Sequence, residues 1–507
     1  MALLGNLIKK GVELNQRLLS TQIDPVEKQE DQLRELITTA RKTSFGKYYN
    51  FNSLLASEYI VSEFKERIPI HEYEKIYNRW WEQQQKHPDI TWPGKPDFFA
   101  LSSGTTGKSS KRIPVTEEFL ESNRKVGTSL IRSLPNFDFP EELFESEILM
   151  LSSSANLIKN DRGHLEGEIS GINVSNFPGW YDLFYRPGKE IAKIDDWDKR
   201  VEAIAKEAPN WNIGAIAGIP SWVHLMLKKV IEYNKLDTIH DIWPNLTAYA
   251  SGGVAFDTYR SDFEKISGKP LTIIDTYLAS EGFFAYTSRP DTMAMHLALN
   301  HGYFYEFIPF DETGVDGTGQ LLENPVSIPI QDVELEKEYV LVISSCAGAW
   351  RYAIGDTIKF TSLDPHEIVL TGRTKFFLNV VGSQLSEEKL DQAVIDVSEE
   401  LGISINEYSV AAIKNEDGNY IHQWVVVSDN EVDEDRVASE LDRLLKEANK
   451  NYTEARNKAL SGLRAKAIRK TDYLKFLEKD KKIGGQIKTP KVMKEEKMRE
   501  LLNALPN

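Results

Sequence analysis

Short apolar segments of β type recur along the middle of the chain, and a turn of small residues follows each of them. Between some of these segments, apolar residues repeat every three or four positions, as on one face of a helix. Strands that alternate with helices predict an α/β architecture with mixed or parallel sheets. The predicted strands are Glu147–Leu151, Trp211–Ala217, Leu271–Thr276 and Tyr339–Ser344, and the clearest predicted helix is Trp222–Tyr233.

The pattern restarts after Glu367–Leu370, which is predicted to be a strand that ends in the polar turn Thr371–Thr374. Beyond that turn, strands and helices with their own apolar faces predict a small α+β domain. We place the boundary near Gly372, which gives a large domain 1–372 and a small, mobile domain 373–507. The predicted elements of the small domain are the helices Leu385–Leu401 and Val432–Lys450, the strands Tyr408–Ile413 and His422–Val427, and a helical, basic tail.

Composition and charge narrow the possible partners and the compartment. The 507 residues are too many for one core, and 41% apolar with 27% charged residues is typical of a soluble globular protein. A net charge of -16 argues against nucleic acid and anionic lipid as partners. The single cysteine, Cys346, excludes an internal disulfide and a thiolate metal site, and it fits a reducing compartment. We therefore predict a cytoplasmic protein.

The first nineteen residues predict an amphipathic helix that docks on the protein body. Leu3, Leu4, Leu7 and Ile8 are apolar, but Lys9 interrupts the run, so it is not a secretory signal. A weak membrane-surface role is the alternative. No window approaches the roughly 20 apolar residues that span a bilayer, and we expect no stable membrane association.

The segment Leu101–Thr116 combines two glycines, several hydroxyl residues and three cations. Glycines allow backbone N–H groups to approach an anion, and hydroxyls and cations add donors and charge. This is the chemistry of a polyphosphate cradle, although Gly104 and Gly107 are too close together for a Walker A loop. A flexible surface loop is the alternative.

Two further segments contain groups suited to a nucleotide. Small residues in Tyr249–Val254 would permit close approach of a flat ring or a phosphate, and an ordinary tight turn is the alternative. In Ile273–Gly282 an apolar strand ends in hydroxyls, with Tyr277 able to stack on a base and Glu281 able to hold a divalent cation. The alternative for Glu281 is a carboxylate at a helix start.

Two more segments have an ordinary explanation beside the functional one. Asp356, after Gly355, could accept hydrogen bonds from two ribose hydroxyls, or the pair could form a simple hairpin turn. The glycine pair in Ile483–Lys491 could free a loop that carries Lys488 into a distant site. The alternative is a solvated basic tail, because residues 461–500 contain 13 Lys/Arg and 6 Asp/Glu.

The remaining residues show no hydrolase or zinc motif. There is no G-x-S-x-G and no H-x-x-x-H pair with nearby carboxylates. His164 could contact substrate, but a structural role is the better interpretation.

Together and in this order, five motifs resemble the auxin-responsive Gretchen Hagen family of acyl acid–amido synthetases, a branch of the adenylate-forming superfamily. The resemblance covers essentially the full length and is closer to the bacterial members than to the plant ones. The motifs are Ser102–Gly107 with Ile113-Pro114, Tyr277-x-x-Ser280-Glu281, Arg351-Tyr352-x-x-Gly355-Asp356, Thr371-Gly-Arg373 and Gln486-x-Lys488-Thr-Pro490.

The resemblance implies a large N-terminal adenylate-forming domain, a mobile C-terminal lid and roles for the matching positions. Lys488 would be catalytic, and Glu281 would be catalytic through Mg²⁺. The family pattern also places Ser280 and Tyr352 at the nucleotide. The phosphate loop would be Ser102, Ser103, Gly104, Thr105 and Thr106, the adenine pocket Gly252, Gly253, Thr276 and Tyr277, the ribose ligand Asp356, and the junction residue Arg373.

The implied activity is an ATP-dependent ligase that adenylates a carboxylic acid and transfers the acyl group to an amine, expected to be an amino acid. Its products would be an amide, AMP and pyrophosphate. An acyl-CoA ligase with the same first step and a non-catalytic nucleotide-binding protein are the alternatives. The chain departs from the family at Ala353, where plant relatives tend to have arginine, and Arg351 or Lys359 could substitute.

Overall fold

The computed structural model describes residues 24–102, 111–253, 256–316, 319–374, 385, 387–415, 419–458, 460–478 and 490–505. The predicted N-terminal amphipathic helix therefore lies outside the described residues. The first described helix, α1, begins at Pro25, where the Asp24 side chain accepts from the Val26 N–H at 2.9 Å and caps the helix. From residue 24 onward, six α-helices and the π-helical segment Tyr77–Trp81 precede the first strand. The α-helices are α1 Pro25–Ala40, α2 Ser44–Tyr48, α3 Phe51–Leu55, α4 Ile60–Arg67, α5 Tyr73–Ile76 and α6 Glu82–Gln84.

An eleven-stranded mixed sheet forms the centre of the body, in the order β12-β13-β14-β15-β11-β10-β9-β8-β7-β3-β6. The five strands from β6 to β9 are parallel, and the remaining pairs are antiparallel. Its strands are β3 Glu147–Met150, β6 Tyr185–Arg186, β7 Ile213–Gly218, β8 Ala248–Gly252, β9 Thr272–Ala279, β10 Gly282–Tyr286, β11 Met295–Leu297, β12 Tyr303–Pro309, β13 Glu338–Ser345, β14 Tyr352–Leu363 and β15 His366–Arg373.

A second, four-stranded sheet lies in the order β2-β1-β5-β4. Its strands are β1 Phe98–Ser102, β2 Lys111–Val115, β4 Ile158–Lys159 and β5 Leu165–Gly167. The helices of this part of the chain are α7 Glu117–Ser133, α8 Ile169–Ser175, α9 Lys189–Ala192, α10 Trp197–Glu207, α11 Pro220–Asn234 and α12 Arg260–Ile266. Among the helices that the structure describes, none combines the length and hydrophobicity that a membrane span requires.

The C-terminal residues form a three-stranded sheet, β16-β17-β18, with its own apolar cores. A small α+β unit after the large mixed α/β body confirms the predicted fold class, whereas the boundary near Gly372 stays a prediction. The elements are β16 Glu407–Lys414, β17 Tyr420–Val427, β18 Leu460–Ile468, α13 Glu387–Leu401, α14 Glu434–Ala448, α15 Lys450–Lys458, α16 Lys470–Glu478 and α17 Glu495–Ala504.

Two element predictions were wrong. The tail is not all helical, because β18 pairs in parallel with β17 and its Leu463, Ala465 and Ala467 alternate with polar residues, as in a strand. The strand predicted to end at Leu370 continues to Arg373, since Gly372 and Arg373 pair with β14. Backbone pairing with a neighbouring strand overrides the turn-like composition of these residues.

Candidate active site

Asp356 lies in the middle of β14, opposite Arg373 of β15, and is buried. Arg373 Nε donates to Asp356 Oδ1 at 2.6 Å, and the Tyr277 hydroxyl donates to Oδ2 at 2.7 Å. Gly355 has φ +93°, where the register of β14 on β13 shifts, so the backbone there suits glycine. The alternative of a Gly–Asp hairpin turn is wrong, because β14 is one continuous strand.

Electrostatics support the hydrogen bonds to Asp356. Its carboxylate raises the pKa of Arg373, so the guanidinium stays charged. Burial, and then the same carboxylate, raises the pKa of Tyr277 well above its ordinary value. Tyr277 is therefore protonated and acts as a donor. Its ring is 3% exposed and packs edge-on against Phe284, so the hydroxyl is the group that acts in the site.

Glu281 lies in the tight turn between β9 and β10, and its side chain is buried. The alternative of a helix-start carboxylate is wrong, since a hairpin follows. The Tyr303 hydroxyl donates to the Glu281 carbonyl at 2.9 Å, and a Cβ on Gly282 would lie 2.4 Å from that hydroxyl oxygen. The Tyr352 hydroxyl donates to Oε1 at 3.4 Å. Tyr303 and Tyr352 thus fix both the turn and its carboxylate.

Charge around Glu281 is mixed. Burial raises the pKa of its carboxyl, the Lys111 ammonium lowers it, and the Asp356 carboxylate raises it again. A cation bound near the two carboxylates would relieve their repulsion. Among the described residues, no group of three or more His, Cys, Asp or Glu side chains could hold a metal by itself. The buried Glu281 carboxylate could therefore supply one ligand to a divalent cation.

The strands β1 and β2 flank the glycine-rich segment. Ser102, the last residue of β1, pairs with Lys111, the first residue of β2. We did not assign Lys111 to the site from the sequence. It is the second of the three cations in the glycine-rich segment, and that position could have indicated its place in the site. Its ammonium lies 5.2 Å from the centroid of the Tyr73 ring. The predicted loop residues Ser103, Gly104, Thr105 and Thr106, and the predicted lysine Lys488, lie outside the described residues.

Gly252 ends β8 and pairs with Thr276 of β9. The Thr276 hydroxyl donates to the Ser251 carbonyl at 2.7 Å, and a Cβ on Gly252 would lie 2.6 Å from Thr276 Oγ1. Gly253 follows with φ +85°. Most of this small-residue cluster is a strand and not a tight turn, and it brings Gly252 and Gly253 beside β9. Ser280, half-buried, lies in the turn before Glu281.

Two residues weighed in the sequence, His164 and Ala353, are buried. His164 is buried, with its ring nitrogens 2.7 and 2.9 Å from the Pro96 and Gln85 carbonyl oxygens, which confirms a structural role. Ala353 packs in an apolar cluster with Ile308 and Val340, so an arginine at this position would enter apolar surroundings.

Neither of the two cations considered as substitutes for the family arginine is available. The Arg351 guanidinium is buried and held by the Glu306 carboxylate at 2.9 Å and by the Ser327 hydroxyl. Lys359 pairs with Glu336 at 3.0 Å. The cation that contacts Asp356 is Arg373, with Nε 2.6 Å from Oδ1.

Models of one protein family match three parts of the chain: the GH3 family N-terminal domain at residues 15–204, the central domain at 296–373 and the C-terminal domain at 388–497. Indole-3-acetic acid-amido synthetase GH3.2 of Arabidopsis thaliana is 29% identical over 37% of this chain and 36% of its own length. Jasmonoyl--L-amino acid synthetase GH3.5 of Oryza sativa subsp. japonica is 27% identical over 51% and 47%. The matches thus span about a third to a half of these curated relatives.

Solved structures resemble the whole chain. The AtGH3.15 acyl acid amido synthetase, in complex with 2,4-DB, has a TM-score of 0.78 at 17% identity and covers 98% of this chain and 96% of its own. A 2-hydroxyisobutyryl-CoA ligase in complex with 2-HIB-AMP has a TM-score of 0.58 at 12% identity and covers 93% and 90%. At these identities the likeness shows the fold alone.

Proposed function

This chain belongs to the GH3 family, and we propose that it is an ATP-dependent ligase that adenylates a carboxylic acid and transfers the acyl group to an amine. The observation that carries the proposal is the Asp356 carboxylate, held at both oxygens by Arg373 and Tyr277 beside the buried carboxylate of Glu281. Burying two carboxylates is costly, and a strand does not need either of them to form. Two buried acids, each with its own hydrogen-bond donors, are therefore typical of a functional site.

Asp356 would accept hydrogen bonds from the ribose hydroxyls, with Arg373 and Tyr277 fixing its orientation. The role of Tyr277 is thereby changed from stacking on the base to positioning Asp356. Gly252, Gly253 and Thr276 would line the adenine pocket, where the missing side chains leave room for a flat ring. Ser102 and the four residues after it would bind the departing pyrophosphate.

Glu281 would hold Mg²⁺ together with the phosphates, with Ser280 and Tyr352 beside it. The ion would supply positive charge at the phosphates when bound. A carboxylate oxygen of the acid attacks the α-phosphorus of ATP, and pyrophosphate leaves. Lys488 would offset the repulsion between the two anions in this step. The amine nitrogen then attacks the acyl carbon, loses a proton and displaces AMP.

The amine acceptor is proposed from the family, whose relatives are named as amido synthetases of indole-3-acetic acid and of jasmonoyl–amino acid conjugates. The small C-terminal unit, residues 373–507, would be the lid that brings Lys488 to the body. The proposed partners are thus small molecules, a carboxylic acid and an amino acid.

Pyrophosphate exchange tests the proposal. With Mg²⁺ and an acid from a broad library that includes indole-3-acetate and jasmonate, the protein should exchange labelled pyrophosphate into ATP. If folded protein binds ATP but shows no exchange with any acid of the library, the protein is a non-catalytic nucleotide-binding protein. Product masses with the twenty amino acids or with CoA then identify the acceptor. A product with CoA alone would replace the amido synthetase by an acyl-CoA ligase.

Asp356→Ala should weaken the binding of a non-hydrolysable ATP analogue by about tenfold to a hundredfold, measured by calorimetry. A hydrogen bond to a charged acceptor contributes ~1.5–3 kcal/mol. Asp311→Ala is the control, because Asp311 caps a surface turn through the Thr313 N–H at 2.9 Å. If both variants bind the analogue like the wild type, Asp356 is only a structural residue.

A further inference from the structure

Tyr303 is a fully buried tyrosine that reaches the candidate active site from the far edge of the large sheet. It is the first residue of β12, and β13, β14, β15 and β11 lie between that strand and β10 in the order of the sheet. Its hydroxyl nevertheless donates to the Glu281 carbonyl at 2.9 Å. Two distant strands of the sheet thus meet at the residue that carries the candidate metal ligand.

The direction of this hydrogen bond is fixed by the protonation of Tyr303. Burial raises the pKa of the hydroxyl well above its ordinary value, and the neighbouring acidic groups of Cys346, Tyr305 and Glu281 raise it further. The hydroxyl therefore keeps its proton and donates. Removing it would leave the Glu281 carbonyl without this donor in a place that water does not reach.

The Tyr303 ring is held by close packing. The His301 ring stacks on it with centroids 4.8 Å apart, and the Phe284 ring contacts it edge-on at 5.3 Å. A Cβ on Gly282 would lie 2.7 Å from the Tyr303 Cζ, so the turn that contains Glu281 lies directly against the ring. The hydroxyl therefore has little freedom to move away from the turn.

The backbone at Tyr303 is fixed to α1 by one buried amide, the side chain of Gln29. Its Nε2 donates to the Leu299 carbonyl at 2.8 Å and to the Tyr303 carbonyl at 3.1 Å. Its Oε1 accepts from the Tyr305 N–H at 2.7 Å. The Tyr303 hydroxyl is thus presented to the turn from a backbone that is itself held in place.

The carboxylate of Glu281 is held from another strand. The Tyr352 hydroxyl of β14 donates to Glu281 Oε1 at 3.4 Å, and the Asp356 carboxylate of the same strand raises the pKa of the Glu281 carboxyl. Tyr303 therefore holds the main chain of Glu281, and Tyr352 holds its side chain. A shift of the turn would move the carboxylate relative to Asp356.

We propose that Tyr303 is a positioning residue, whose hydrogen bond to the Glu281 carbonyl holds the Glu281 carboxylate where it binds a divalent cation beside the nucleotide. The inference rests on the proposed function, in which Glu281 holds Mg²⁺. Tyr303 contacts neither the ion nor the nucleotide and acts through Glu281. Removing a group that orients a metal ligand typically lowers metal affinity about tenfold to a hundredfold.

The test is a calorimetric titration of Mg²⁺ into protein loaded with a stoichiometric amount of a non-hydrolysable ATP analogue. Tyr303→Phe removes the hydroxyl and keeps the ring. The Kd for Mg²⁺ should rise about tenfold to a hundredfold in this variant. The Kd for the analogue without Mg²⁺ should stay near that of the wild type, because Arg373 and Tyr277 still hold Asp356.

Tyr305→Phe is the matched control. Tyr305 is fully buried in the same strand, with its ring 6.3 Å from that of Tyr303, but its hydroxyl lies 3.4 Å from His301 Nε2 and not at the Glu281 turn. The control thus loses the same atom from the same core and should bind Mg²⁺ like the wild type. Equal weakening in both variants would show a general effect on the core and overturn the proposal.

Pyrophosphate exchange gives a second readout. In Tyr303→Phe the KM for Mg²⁺ should rise, and saturating Mg²⁺ should restore most of the wild-type rate. A rate that stays low at every Mg²⁺ concentration, with an unchanged Kd for Mg²⁺, would contradict a role through the ion. A wild type that binds the analogue but neither binds Mg²⁺ nor shows exchange contradicts the proposed function. An active wild type and an unaffected Tyr303→Phe contradict only this inference.

A double-mutant cycle tests whether Tyr303 acts through Glu281. In a Glu281→Gln background, Tyr303→Phe should weaken Mg²⁺ binding little further, because the carboxylate that it positions is gone. A second loss as large as that in the wild-type background would show that Tyr303 acts independently of Glu281, and the proposal would be wrong.

Discussion

Replacing Lys488 by alanine is expected to slow acyl-adenylate formation by about a hundredfold to a thousandfold, while ATP binds almost as it does to the wild type. A preorganised positive charge at developing negative charge typically contributes ~3–4 kcal/mol to the transition state. The lysine lies 132 residues after Asp356 in the sequence and in the proposed lid. In the proposed mechanism it would act when the lid closes, after the nucleotide has bound.

The rate of acyl-adenylate formation in a single turnover, measured side by side for Lys488→Ala and Lys494→Ala, tests whether Lys488 is the catalytic lysine. Lys494 is exposed at the start of α17 and belongs to the same basic stretch. Amide formation from adenylate supplied ready-made should suffer less in Lys488→Ala, because that step no longer brings two anions together. Equal adenylation rates in the two variants would show that the catalytic lysine is elsewhere.

Replacing Arg351 by methionine is expected to destabilise the body by about 3–5 kcal/mol, measured by urea unfolding. The Glu306 side chain is 1% exposed, and the Arg351 guanidinium is its charge partner at 2.9 Å. Without that partner a carboxylate stays buried and uncompensated, which is the costly way to break a buried ion pair. The guanidinium also donates to the Lys65 carbonyl, which ties α4 to the strand region.

Arg443→Met provides the control, because Arg443 is 41% exposed and its ion pairs lie at the surface. Such pairs contribute about 0–1 kcal/mol, so this variant should unfold close to the wild type. Adding Glu306→Gln to Arg351→Met should recover part of the lost stability, since no buried charge remains. An Arg351→Met protein as stable as Arg443→Met would contradict the assigned role of this ion pair.

Several elements could be predicted from sequence because their signal is local. The helix predicted at Trp222–Tyr233 is α11, and the strands predicted around Ile213, Ile274 and Val342 exist with shifted ends. The spacing of apolar residues shows which face of a helix or strand is buried, and it does so without information about the residues packed against that face. The strand β18 carried the same kind of signal, but its Arg464 and Lys466, which alternate with apolar residues, were taken as part of a charged tail.

The sequence by itself determined the candidate chemistry: two glycine-rich segments, the acids Glu281 and Asp356, and a basic C-terminal stretch. Only the tertiary structure decided which of these groups have partners. The Tyr277 hydroxyl and Asp356 are 79 positions apart, and Lys491 and Asp391 are 100 apart. Such pairs form because distant segments of the chain pack against one another. The residue types within one segment do not show which other segment it will contact. Composition alone made Lys491 one more cation of a tail, whereas the structure places its ammonium 2.6 Å from the Asp391 carboxylate and 3.2 Å from that of Glu387.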